Sequence, residues 1–220
     1  MSSARIGVFG GTFDPVHIGH LVAAEEARAC LSLERVIWIP ARISPHKLGE
    51  IPASGEDRYR MVCLALQGDP AFEVSRVDLD RAGPSYTVDT LHMLQAQYGA
   101  STQLYFIMGA DSLMSFRVWH RPDEILHLAR LVVVSRPGFA PDLTALERDL
   151  PGITRATDML NTVNLDISAT DLRLRIRQGR PIRYQVPAAV ERYIAEHRLY
   201  QAEEHGPESE TVPIGGCSCI

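Results

Sequence analysis

The chain has 220 residues, 45% of them hydrophobic and 22% charged, with a formal net charge of −5. The length allows one sizeable α/β domain, or one domain with a small appendage, the composition is that of a soluble globular protein, and the charge argues against a protein held on nucleic acid by bulk charge. No apolar stretch approaches the roughly 20 residues needed to span a bilayer, and Met1-Ser2-Ser3-Ala4-Arg5 does not read as a signal peptide, so a cytoplasmic protein is expected.

Ile6-Gly7-Val8-Phe9 is a short apolar run closed by Gly10-Gly11, which predicts a buried strand ending in a turn. Leu21, Ala24, Ala27 and Leu31 then recur at helical spacing over 19–31. Val36-Ile37-Trp38-Ile39 predicts a second strand, stopped by Pro40. Strand, helix and strand in so short a span form a βαβ unit, with parallel pairing and a right-handed crossover. The alternation continues with a helix over 56–66, a strand over 72–77, a helix over 87–97 and a strand over 104–107. A helix over 123–128 and a strand over 131–134 follow, then helices over 169–178 and 187–197. The pattern predicts a doubly wound, Rossmann-like parallel sheet with helices on both faces and a C-terminal helical segment. We expect a single domain over 1–201 and a disordered tail over 202–220, where Glu203-Glu204-His205-Gly206-Pro207-Glu208 is polar and rich in breakers.

Cys30 and Cys63 sit in apolar stretches and read as small core residues. No Cys/His set has the spacing of a structural zinc site, and no protein-held metal is expected. The last residues, Cys217-Ser218-Cys219-Ile220, match the frame of a prenylation signal poorly because Ser218 is polar.

Two segments carry the chemistry. The first runs Gly10-Gly11-Thr12-Phe13-Asp14-Pro15-Val16-His17-Ile18-Gly19-His20. In open α/β sheets, ligands bind at the carboxyl ends of strands. Gly10 and Gly11 let the backbone approach a ligand, and the N–H groups of Gly11, Thr12 and Phe13 are placed to face an anion at a helix N-terminus. His17 and His20, three apart, share one face of that helix start and can donate to phosphate oxygens. The second segment is Ile167-Ser168-Ala169-Thr170-Asp171-Leu172-Arg173. Ser168 with Asp171 has the form of a capping box, its plain structural reading. Ser168, Thr170 and Arg173 also put two hydroxyls and a forked cation at a helix N-terminus, which makes a second anion site.

The stretch from Thr12 to His20, ending in His-Ile-Gly-His, resembles the first motif of the nucleotidyltransferase superfamily. Class I aminoacyl-tRNA synthetases share it, but they are longer and carry a Lys-Met-Ser-Lys-Ser-like motif that this sequence does not contain. Ile167 to Arg173 resembles the superfamily's Ile-Ser-Ser-Thr-x-Ile-Arg motif, with Ala169 and Leu172 as departures. Pro45-His46-Lys47, Ser85-Tyr86-Thr87-Val88-Asp89-Thr90-Leu91 and Gly109-Ala110-Asp111-Ser112-Leu113, with Phe116 and Trp119-His120 beyond, are similar to bacterial nicotinate-nucleotide adenylyltransferases. That resemblance implies transfer of AMP from ATP to nicotinate mononucleotide, giving deamido-NAD and pyrophosphate. His17, His20, Lys47 and Arg173 would be the catalytic groups, joined around ATP by Gly10, Gly11, Thr12, Phe13, Asp111, Ser168 and Thr170. It implies that Thr87 and Trp119 hold the nicotinate ring and its carboxylate, with Ser85 and His120 beside them. Arg136, before Pro137-Gly138, is a candidate phosphate contact. Mg²⁺ would arrive bound to ATP.

Each of these residues has a plainer reading. Lys47 suits a solvated surface, Thr87 an N-cap, Asp111 a cap of the next helix and Trp119 the core. Other acceptors on the same scaffold, pantetheine phosphate or a cytidylyl acceptor, remain open from sequence. So do a non-catalytic nucleotide-binding module and the oligomeric state.

Overall fold

The structure is a computed structural model that describes residues 3–43, 53–135, 138–163 and 165–201. Lys47, Arg136 and the segment 202–220 lie outside the described residues. Six strands form one sheet: β1 (Arg5–Gly11), β2 (Arg35–Pro40), β3 (Phe72–Val74), β4 (Gln103–Gly109), β5 (Ala129–Val134) and β6 (Thr157–Leu160), in the order β3-β2-β1-β4-β5-β6. Every pairing is parallel. The chain reverses direction across the sheet between β1 and β4, and the crevice outside the carboxyl ends of these two strands is the expected ligand site.

The strands alternate their side chains between two cores. Phe9, Trp38, Tyr105, Ile107 and Val132 face one layer with α1 (Ile18–Cys30), α2 (Gly55–Ala65), α8 (Ala169–Arg177) and α9 (Ala188–Glu196). Val8, Ile37, Ile39, Phe106 and Val133 face the other, with α3 (Thr87–Tyr98), α4 (Ala110–Met114), α5 (Pro122–Leu128), α6 (Leu143–Asp149) and α7 (Ile153–Ala156). Burial on both faces explains why the strands read as unbroken apolar runs rather than as alternating ones. The C-terminal helices α8 and α9 share the layer of α1, which carries α8 to the open end of β1.

Some expectations change. The strand expected over 72–77 stops at Val74, because Asp80 N–H bonds to the Arg76 carbonyl and the chain turns there. Cys30 is exposed and Cys63 is only partly buried. The buried line of α1 is Ala24 and Ala27, with Leu31 packed against the core, and Cys30 falls beside that line at the helix end. The sequence reading passed over β6, α4, α6 and α7.

Candidate active site

At the end of β1 the chain turns through Thr12 to Val16 before α1 begins, and His17 is the N-cap of that helix. His17 N–H donates to His20 Nδ1 at 3.2 Å. An Nδ1 that accepts a hydrogen bond leaves the proton of the neutral ring on Nε2, so Nε2 is the donor end of His20. The two imidazoles stack with centroids 3.6 Å apart. Gly19 permits this. A Cβ there would stand 3.1 Å from His17 Nδ1 and press on the ring. Gly11 has a similar steric reason, since its Cβ would lie 2.8 Å from the Phe13 ring. The Phe13 side chain is buried, with ring centroids 5.4 Å from Phe9 and 5.2 Å from Trp38. Phe13 therefore anchors the turn in the core, and only its backbone is left for a ligand. Its φ of +51° lies in the left-handed region, and that strained backbone is held by the packing of its ring.

A buried polar cluster fixes this turn from behind. Asp14 is 2% exposed and Arg58 is 1% exposed. Tyr200 Oη donates to Asp14 Oδ1 at 2.6 Å. Arg58 Nη1 donates to the Thr12 carbonyl at 2.7 Å, and Arg173 Nη1 to the Asp14 carbonyl at 2.8 Å. Burial pushes the Asp14 carboxyl above its usual range, against the pull of Tyr200, Arg173 and Arg58. Burial and the adjacent Asp14 push the Tyr200 hydroxyl far up, so it stays a donor. Burial also pulls the Arg58 guanidinium below its usual range, opposed by Asp14. None of these roles was read from sequence. The available signal was Arg58 itself, a charge on the helix face that also carries Met61 and Val62.

A cavity of about 390 Å³ opens at the switch point. Its lining brings together Gly10, Gly11, Thr12, Phe13, His17 and His20 from the first segment with Ser168, Thr170 and Arg173 from the second. The N-termini of α1 and α8 therefore face one space, and both favour anions. Ser168 is the N-cap of α8, its Oγ accepting from Asp171 N–H at 3.1 Å. Ser168 thus caps the helix as the capping-box reading expects, but the Asp171 carboxylate accepts from Arg175 Nε at 2.6 Å instead of closing the box, and the Ser168 hydroxyl also lies on the cavity wall. Asp111 lines the same cavity from the first turn of α4, whose N-cap is Gly109. A Cβ on Gly109 would collide with Asp111 Oδ1, so glycine leaves the carboxylate room to fold back over the strand end.

A second cavity of about 200 Å³ adjoins the first and shares Gly10, Gly11, Thr12 and Trp119 with it. Its far wall is Ser85, Tyr86, Thr87 and His120. Thr87 is the first residue of α3 and does not cap it. The N-cap is Tyr86, with no side-chain bond to the helix start. Ser85 Oγ accepts from Arg42 N–H at 2.9 Å and ties the loop after β2 to the head of α3. His120 packs against Tyr86 in a tilted arrangement, with centroids 4.3 Å apart and 32° between the ring planes. Trp119 is not a core residue. It is partly buried on the wall between the cavities, braced by Phe106 and Phe116 at 6.0 and 5.3 Å. Among the described residues, no group of three or more His, Cys, Asp or Glu could hold a metal ion. No described helix is long and apolar enough to cross a membrane.

Comparison with known proteins agrees with this geometry. The model of the cytidylyltransferase-like family matches residues 8–175, a span that includes both phosphate-facing segments. A probable nicotinate-nucleotide adenylyltransferase of Roseiflexus sp. (strain RS-1) is 51% identical over 201 residues, covering 91% of this chain and 100% of the relative. The chain belongs to the nicotinate-nucleotide adenylyltransferase family. A probable member from Thermomicrobium roseum is 45% identical over 201 residues, covering 91% of this chain and 94% of its own. In fold, the chain is similar to Plasmodium falciparum nicotinic acid mononucleotide adenylyltransferase complexed with NaAD, with a TM-score of 0.74 and 17% identity over 90% of this chain and 97% of that one. As a member of this family, the chain places its two signature segments on one cavity although they are some 150 positions apart in sequence, because both the turn after β1 and the start of α8 reach the carboxyl ends of the strands.

Proposed function

We infer that the protein transfers AMP from ATP to nicotinate mononucleotide, giving deamido-NAD and pyrophosphate. The observation that carries this is the pair of adjoining cavities, one built of anion-binding helix ends and the other of an aromatic wall and the head of α3. The triphosphate occupies the first, between the His17/His20 pair and the Ser168, Thr170 and Arg173 end of α8. The adenosine reaches Asp111. The pyridine ring stacks on Trp119 in the second cavity, and its carboxylate meets the N–H groups and hydroxyl at Thr87. Ser85 and His120 flank it. Lys47 and Arg136 join the phosphate contacts in this reading. Residues 1–201 work as a single nucleotidyltransferase domain, and a cytoplasmic location is proposed.

The chemistry needs little from the protein beyond placement. An acceptor phosphate oxygen, anionic at neutral pH, attacks the α-phosphorus of ATP. The bond from that phosphorus to the α,β-bridging oxygen breaks, and pyrophosphate leaves with the electron pair. No general base is required, so alignment and charge stabilisation carry the rate. Among the described residues, two carboxylates line the first cavity, Asp14 and Asp111, and Asp14 is already engaged by Tyr200. That donor set suits Mg²⁺ that enters coordinated by the triphosphate and water. When bound, the ion neutralises phosphate charge.

Pyrophosphate release on mixing ATP with nicotinate mononucleotide tests the reading. Release with pantetheine phosphate, or from CTP, and none with nicotinate mononucleotide would assign a different acceptor. ATP binding without release for any acceptor would make the chain a binding module. Trp119→Ala is expected to raise KM for the acceptor about tenfold, as loss of about 1–1.5 kcal/mol of aromatic stacking would. Steady-state kinetics with each substrate varied in turn would show that KM for ATP moves less. Equal rises in both constants would remove Trp119 from the acceptor side.

A further inference from the structure

The second cavity carries an electrostatic problem. Asp78 lines it and is 6% exposed, and Thr90 Oγ1 donates to Asp78 Oδ1 at 2.6 Å. Asp89 stands in the first turn of α3, the same end that is read above as the seat of an acid. Asp78 on the cavity wall, with Asp89 at the head of α3 behind it, opposes an incoming carboxylate, because like charges repel at short range. A carboxamide would meet no such opposition. Its N–H₂ is a donor, and a carboxylate neighbour suits it.

One side chain answers both carboxylates. Arg81 Nη2 donates to Asp78 Oδ1 at 3.2 Å, and Arg81 Nη1 donates to Asp89 Oδ2 at 3.1 Å. Nη1 also reaches the Pro84 carbonyl at 3.2 Å, which fixes the loop leading into α3. The Arg81 and Asp78 side chains are 20% and 7% exposed, so their contact is shielded from solvent more than an ordinary surface pair, while Asp89, at 38%, holds the outer side of the bridge. The planar fork can touch two carboxylates at once, which an ammonium on a flexible stem does less well.

We propose that Arg81 determines the acceptor's specificity: by bridging Asp78 and Asp89 it offsets their charge and lets the head of α3 take a pyridine carboxylate in preference to the carboxamide. Arg81 acts through Asp78, Asp89 and the helix end, and is a positioning residue rather than a catalytic one. The inference rests on the acceptor reading given under Proposed function.

The test compares kcat/KM for nicotinate and nicotinamide mononucleotide in the wild type, Arg81→Met and Arg81→Lys. Both substrates are measured on one sample, so their ratio does not depend on the fraction of protein that is folded. The wild type should favour the acid. Arg81→Met should lower the acid-to-amide ratio at least tenfold, and Arg81→Lys should keep it within about threefold of wild type by retaining the charge. If Arg81→Met does not fold, Arg81→Gln carries the same expectation. An unchanged ratio in the uncharged variant, with both rates falling together, overturns the proposal and makes Arg81 merely structural. A wild type that uses neither mononucleotide instead overturns the acceptor reading, and the role of Arg81 falls with it.

Discussion

His20→Ala should lower kcat by about 100–1000-fold while leaving the protein folded, the size of effect seen when a preorganised donor to developing charge is removed. The geometry explains both halves of the result. Nδ1 of His20 is committed to His17 N–H, which aims Nε2 as the donor, and the stacked His17 ring holds that aim. The donor end belongs to a residue that lines the same cavity as Arg173 and Ser168, where pyrophosphate charge would build as the leaving bond breaks. His20 is only partly buried, so its removal costs the fold little more than one ordinary hydrogen bond, about 1 kcal/mol. Pyrophosphate release and a thermal melt on the same preparation check this. Wild-type turnover in the variant would take His20 out of the site.

Arg58→Ala should do the opposite, destabilising the protein by about 3–5 kcal/mol, as expected when one member of a buried charged cluster is deleted. Arg58 is almost wholly buried, and its guanidinium reaches the carbonyls of Thr12, Ala53 and Arg42. Truncation would leave those oxygens without their donor and Asp14 with one cation fewer. Urea unfolding measures the change. A loss below about 1 kcal/mol would mean that water or a neighbouring side chain takes over the carbonyls, and that the turn behind the phosphate site is less tightly tied than its contacts indicate.

Much of the fold was legible because a parallel sheet buries both faces of its strands. β1, β2, β4 and β5 are continuous apolar runs, and such runs stand out in sequence. β6 is not of that kind. Thr157–Leu160 is a four-residue edge strand whose Asp158 pairs with Arg130, and it has no apolar run to detect. The helices α4 and α7 span five and four residues, too short for a periodic signal. The site was legible wherever its residues are neighbours in sequence. The His17/His20 pair and the Ser168 to Arg173 turn declare themselves by spacing. The hydrogen bond from Tyr200 to Asp14 joins residues 186 positions apart, and no local pattern can announce it. Arg81 was hidden for a related reason. Its meaning depends on Asp78 and Asp89 lying on either side of it in space, and in sequence it reads as one more polar loop residue.

The most direct test of the account is kcat/KM for nicotinate mononucleotide against nicotinamide mononucleotide, with ATP saturating. A cavity that meets a carboxylate with helix N–H groups and a hydroxyl should prefer the acid by about 100-fold or more, because the amide leaves those donors poorly matched. Equal kcat/KM for the two, or pyrophosphate release with neither, would contradict it.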